Sequence, residues 1–102
     1  MEILITGAEG QLGKEMLRIL SFHHSVIGLG KNQLDVTNRQ EVDECISSIR
    51  PQIIVHAAAF TAVDQCETDR ITAFEVNGIG TDNVAFAANK MGARMFYISS
   101  DY

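Results

Sequence analysis

The sequence predicts an α/β fold, a doubly wound parallel sheet with helices on both faces, and three observations predict it. Short β-branched runs alternate with stretches of helical spacing in the order βαβαβαβ. A glycine-rich turn stands where the first strand meets the first helix. No repeat, low-complexity tract or linker interrupts the 102 residues, which contain a single Pro. Strands that alternate with helices join through crossovers, and crossovers give a parallel sheet covered on both sides.

Glu2 to Thr6 is a short apolar run ending at Gly7, read as a buried strand. Residues 10–21 follow with Leu12, Met16, Ile19 and Leu20 at helical spacing. Ser25 to Gly28 is a weak second strand. Thr37 and Gln40 have capping-box spacing, which makes Thr37 the expected N-cap of the next helix. Val42, Cys45, Ile46 and Ile49 then form one apolar face, and Pro51 ends it. Ile53 to Val55 is a third buried strand. A long helical pattern runs from about Asp69 to Met91, with Gly92 at its expected C-terminal cap. Arg94 to Ser99 is the fourth strand. Four strands make an incomplete doubly wound sheet, so residues 1–102 are expected to be a truncated nucleotide-binding domain, with the remainder and a substrate domain outside it.

Ligands of such sheets bind beyond the carboxyl ends of the strands, near the switch in strand order. The functional candidates are therefore Gly7 to Gly13, Gly28 to Asn32, His56 to Thr61 and Ser99 to Tyr102. The first is a GxxGxxG loop between strand and helix. A diphosphate needs backbone N–H groups and the positive end of a helix dipole, with no Cβ in the way. In this reading Gly7 permits the tight turn, Gly10 the approach of the phosphates and Gly13 the contact of helix with strand, which together give a Rossmann-like, dinucleotide-binding site. An acid about 20 residues further on normally receives the ribose 2′-hydroxyl. None stands at the end of the second strand, where the sequence reads Gly28-Leu29-Gly30-Lys31-Asn32, and Asp35 is the nearest carboxylate. Lys31 is placed either to meet a 2′-phosphate, which favours NADPH, or to stand solvated at the surface.

Composition bounds the partners. The formal net charge is −5 and the eight Lys and Arg are scattered, which disfavours nucleic acid and anionic membranes. Cys45 and Cys66 form no CxxC and lack matching His spacing, so they read as reduced thiols and no metal site is expected. The apolar start Ile3-Leu4-Ile5 is too short for a signal peptide, and no run reaches spanning length. A cytoplasmic setting fits these features.

Three further segments are more specific than the glycine loop: His56-Ala57-Ala58-Ala59-Phe60-Thr61-Ala62-Val63-Asp64, Val76-Asn77, and Ile98-Ser99-Ser100-Asp101-Tyr102. With the glycine loop they resemble the extended short-chain dehydrogenases and, within these, the dTDP-4-dehydrorhamnose reductases, over essentially the whole chain. The resemblance implies reduction of dTDP-4-dehydro-6-deoxy-L-mannose to dTDP-L-rhamnose with NADPH or NADH. It implies diphosphate contacts from Gly10, Gln11 and Leu12, adenine contacts from Asp35 and Val36, and a cofactor cleft lined by Ala58, Ala59, Phe60, Thr61 and Ile98. Ser100 falls at the catalytic Ser or Thr, holding the substrate's C4 oxygen, and Asp101 beside the sugar nucleotide. The family carries an acid where Gly30 stands and usually Asn where His56 stands. That His is open to two readings: a group titrating near neutral pH, or a strand-end imidazole held by a hydrogen bond. Family members can use Mg²⁺, and a homodimer of the full-length protein is compatible with the resemblance. The family donates its proton from the Tyr of a YxxxK pair, and residues 1–102 contain no YxxxK. A non-catalytic dinucleotide-binding or regulatory module of the same fold is therefore the alternative, and a related nucleotide-sugar epimerase or dehydratase a third.

Overall fold

All four expected strands form, and each helix follows the strand that feeds it. The structure, a computed structural model, describes residues 1–57 and 70–98. Its elements are β1 (Glu2–Thr6), α1 (Gln11–Leu20), β2 (Ser25–Leu29), α2 (Arg39–Ile49), β3 (Ile53–His56), α3 (Arg70–Met91) and β4 (Arg94–Tyr97). The strands pair in parallel in the order β2-β1-β3-β4. The order reverses between β1 and β3, which sets the switch point at the carboxyl end of β1. The register aligns Leu29, Thr6, His56 and Tyr97 in one row across the carboxyl end of the sheet.

Alternation along the strands divides the core in two. Leu4 and Ile54 point to one face, where Val42 and Ile46 of α2 and Val84, Ala87 and Ala88 of α3 bury them. Ile3, Ile5 and Val55 point to the other, against Met16, Leu17 and Leu20 of α1. The apolar face read for α2 is the one that packs: Val42 and Ile46 are fully buried, with Cys45 and Ile49 beside them.

Two expectations are corrected in the helices. In α1 the packed residues are Met16, Leu17 and Leu20, whereas Leu12 and Ile19 are 40% and 51% exposed. The helix is buried at Gly13, and residues three, four and seven beyond it are those that share its face. In α2 the N-cap is Asn38, whose Oδ1 accepts from the Glu41 N–H at 3.1 Å. Thr37 stands one residue before the cap, and its hydroxyl donates to Asp35 Oδ1 at 2.6 Å. The helix closes at Arg50, which adopts the left-handed conformation (φ 54°) and donates its N–H to the Ile46 carbonyl at 2.8 Å. A residue before proline is pushed out of the helical region, which explains the stop at Pro51. Gly92 closes α3 with φ 75°, as expected. Two strand limits shift: β2 continues to Leu29, and β4 ends at Tyr97, with Ile98 donating its N–H to the His56 carbonyl at 3.0 Å.

The α1 side is the thinner layer. Between α1 and β4 lies an apolar groove of about 420 Å³, lined by Met1, Ile3, Met16, Leu20, Ile53 and Phe96 among others. Phe96 is 52% exposed on β4, which is an edge strand among the described residues. Exposed apolar surface beside an open strand edge favours association with other chains. The 102-residue chain produced alone is therefore expected to self-associate in sedimentation velocity. A clean monomer with one sharp, cooperative melt would contradict this.

Candidate cofactor site

The glycine turn is built at the switch point. Gly7 leaves β1 with φ 69°, a conformation that L side chains resist, and its carbonyl accepts from the Gly10 N–H at 3.1 Å. The Ala8 N–H is held by the Leu29 carbonyl at 3.1 Å, which ties the turn to β2. Gly10 is the N-cap of α1 and offers no capping side chain. The first bond of the helix runs from the Lys14 N–H to the Gly10 carbonyl at 2.9 Å. The N–H groups of Gln11, Leu12 and Gly13 precede that bond, at the positive end of the helix dipole and beyond the carboxyl end of β1.

Gly13 fixes where this helix end lies. A Cβ there would sit 2.2 Å from the Gly7 carbonyl oxygen and 2.9 Å from Ala8 Cα, both backbone atoms that cannot yield. Gly28 makes a similar approach that the sequence reading did not find: a Cβ would sit 2.9 Å from Ala8 Cβ and 3.0 Å from Leu17. Its signal was a glycine inside a strand, which marks a close approach.

Beyond β2 the chain folds back on itself. Gly30 donates its N–H to Gln33 Oε1 at 2.8 Å, and Lys31 donates its N–H to Glu9 Oε1 at 3.0 Å. The Lys31 side chain is exposed. Asp35 accepts from both the hydroxyl and the N–H of Thr37, at 2.6 and 3.0 Å, and these bonds hold its carboxyl below the usual range. Val36 is half-buried, and its carbonyl accepts from the Asn83 side-chain amide at 2.9 Å. Gly80 lies under the same residue, since a Cβ there would meet Val36 Cγ2 at 2.6 Å. Asn83 and Gly80 therefore dock the 30–38 loop onto α3. Neither was singled out in the sequence, because the partner is 47 residues away.

His56 closes β3 beneath the site. It is fully buried, shares a 2.6 Å hydrogen bond between Nδ1 and Thr6 Oγ1, and stacks on Tyr97 with ring centroids 5.6 Å apart. Its Nε2 is buried without a hydrogen-bond partner among the described residues. Burial pushes the imidazole down to about 4, so of the two readings the structure supports the hydrogen-bonded strand-end residue. Ala57 is buried just beyond it. Ala58, Ala59, Phe60, Thr61, Ser100 and Asp101 lie outside the described residues, as does Cys66. Cys45 is a free, partly buried thiol raised above its usual range by burial and by Glu41.

Comparison with known proteins now decides the family. The model described as the RmlD substrate binding domain matches residues 1–102. The chain belongs to that family. The spore coat polysaccharide biosynthesis protein SpsK of Bacillus subtilis is 39% identical over 102 residues, covering 99% of this chain and 36% of that protein. The dTDP-4-dehydrorhamnose reductase of Aggregatibacter actinomycetemcomitans is 38% identical, covering 98% of this chain and 35% of its own length. A crystal structure of dTDP-4-dehydrorhamnose reductase from Bacillus anthracis in complex with NADP superposes with a TM-score of 0.88 at 44% identity, covering 99% of this chain and 36% of that one. The chain thus spans about a third of the length of the relatives it matches. Membership in the RmlD substrate binding domain family bears out the resemblance read from the motifs, and the solved relatives bear out the Rossmann-like sheet. Among the described residues no group of three or more His, Cys, Asp or Glu is placed to hold a metal, so the Mg²⁺ allowed by resemblance has no ligand set there. No described helix is long and apolar enough to cross a membrane.

Two outcomes follow for this family member. Gly13→Ala drives a methyl into backbone and should cost about 3 kcal/mol in urea denaturation; an unchanged midpoint would contradict the contact. For His56, the unfolded imidazole takes up a proton near its ordinary 6.5 and the folded one only near 4. Between these values the unfolded chain binds the extra proton. Stability should therefore be full above pH 6.5 and fall as pH falls towards 4, by up to about 3 kcal/mol. The variant His56→Asn should flatten that fall, and parallel stability–pH curves for the two proteins would contradict it.

Proposed function

We propose that the polypeptide carrying this chain reduces dTDP-4-dehydro-6-deoxy-L-mannose to dTDP-L-rhamnose with NADPH or NADH, and that residues 1–102 are its cofactor-binding part. The observation that carries the reading is the Gly7–Gly13 turn, whose free N–H groups at the start of α1 lie beyond the strand ends, where a Cβ on Gly13 would collide with the backbone. This cradle fits a dinucleotide diphosphate. Gly10, Gln11 and Leu12 would hold the diphosphate, Asp35 and Val36 the adenine, and Lys31 a 2′-phosphate where one is present. Ala58, Ala59, Phe60, Thr61 and Ile98 would line the cleft towards the nicotinamide. The bound nicotinamide supplies the hydride for the C4 carbonyl. The Ser100 hydroxyl would hold the C4 oxygen as charge develops there, with Asp101 beside the sugar nucleotide. The proton donor is a different matter: residues 1–102 contain no YxxxK, so a Tyr acidified by a neighbouring Lys has to come from outside them. The reading also takes the full-length protein as a cytoplasmic homodimer.

The same cradle is compatible with one other reading, a non-catalytic dinucleotide-binding or regulatory module. Calorimetry of NADPH and NADH with the native polypeptide, together with reduction of the dTDP-4-keto sugar followed by loss of reduced nicotinamide, separates the two. The reductase reading expects binding and turnover, with Ser100→Ala lowering kcat about a hundredfold. Binding without turnover supports the module. An unchanged rate in Ser100→Ala removes that residue from the reaction.

A further inference from the structure

Dinucleotide sites of this fold place an acid at the end of the second strand to receive the adenosine ribose 2′-hydroxyl, and this chain has Gly30 there. The space is nevertheless occupied by a carboxylate. A Cβ on Gly30 would lie 2.2 Å from Glu9 Oε1 and 2.4 Å from both Cδ and Cγ, so the Glu9 side chain runs through the volume that a side chain at position 30 would fill. The two positions are neighbours because Leu29 and Thr6, the last residues of β2 and β1, are register partners. Oε1 is anchored by the Lys31 N–H at 3.0 Å, which leaves Oε2 to accept from a ligand hydroxyl.

We infer that Glu9, reaching across from the glycine turn, takes the place of the missing acid and makes the site select a 2′-hydroxyl over a 2′-phosphate. The inference rests on the dinucleotide reading proposed above. A carboxylate accepts a hydroxyl proton but repels a phosphate monoester carrying about −1.5 to −2 charges. Lys31 is the opposing group. Its side chain is exposed and forms no ion pair with Glu9. Both side chains are exposed, but the carboxylate is fixed in place by the Lys31 N–H, and the fixed anion sets the sign at the ribose edge. Absence of a side chain at position 30 is then a consequence of where Glu9 lies: the acid has moved from the end of β2 to the turn after β1, with Gly30 making room for it.

The test is direct binding to the native polypeptide, by calorimetry with NADH, NADPH, ADP-ribose and 2′-phospho-ADP-ribose. The unphosphorylated member of each pair should bind more tightly. Glu9→Gln keeps an oxygen for the Lys31 N–H and loses only the charge, and should move the NADPH to NADH affinity ratio about tenfold towards NADPH. Glu9→Ala should do the same, and Glu9→Ala combined with Gly30→Asp should restore the preference for NADH. A ratio unchanged in Glu9→Gln, including equal weakening of both dinucleotides, overturns the inference and leaves the cofactor site standing. Failure of the double variant to regain the preference overturns it as well. If wild type binds none of the four ligands, the dinucleotide reading itself fails, and the inference with it.

Discussion

The close contact between Gly13 and the Gly7 carbonyl is the constraint on which the rest of the site depends. It brings the first turn of α1 against the end of β1 at a distance no side chain would allow. Once Gly13 is pinned there, the helix has one face left to bury, and Met16, Leu17 and Leu20 are on it. The same contact aims the unpaired N–H groups of Gln11, Leu12 and Gly13 over the switch point between β1 and β3. The packing of α1 and the direction of its first N–H groups are thus set by one missing methyl group.

Beneath this turn the middle of the sheet's carboxyl end is both buried and polar. Thr6 and His56 are buried side by side in register and share a short hydrogen bond, with Tyr97 stacked on the imidazole. A neutral imidazole in that position links β1 to β3 at the switch without adding charge to the end of the sheet. The loop after β2 is held from two sides, by Glu9 from the turn and by Asn83 and Gly80 from α3. The site is therefore framed by elements far apart in sequence, each fixed by a contact that a small change of side chain would alter.

Much of this was legible in the sequence, and the reasons differ by residue. Strand order within the chain, the helix face of Val42 and Ile46, and the roles of Gly7 and Gly13 follow from local period and local backbone need. The N-cap was misplaced by one residue because Thr37 and Asn38 are both capping types, and only the folded backbone decides which of them the Glu41 N–H meets. Ile19 looked like a core residue because its spacing is helical; which stripe turns inward was set by Gly13. The contacts of Glu9, Gly28, Gly80 and Asn83 were missed because their partners are remote, and no periodicity reports a contact of that kind. Gly30 does lack the acid, as the sequence reads, but that the Glu9 side chain lies in the space beside it depends on the pairing of β1 with β2.

The most direct test of the central claim is amide chemical-shift mapping of the isotopically labelled native polypeptide titrated with ADP-ribose. A diphosphate seated on the helix start predicts the largest shifts at Gly10, Gln11, Leu12 and Gly13, with a second group from Gly30 to Val36. Shifts confined to the groove between α1 and β4, or none in the glycine turn at saturating ligand, would contradict it.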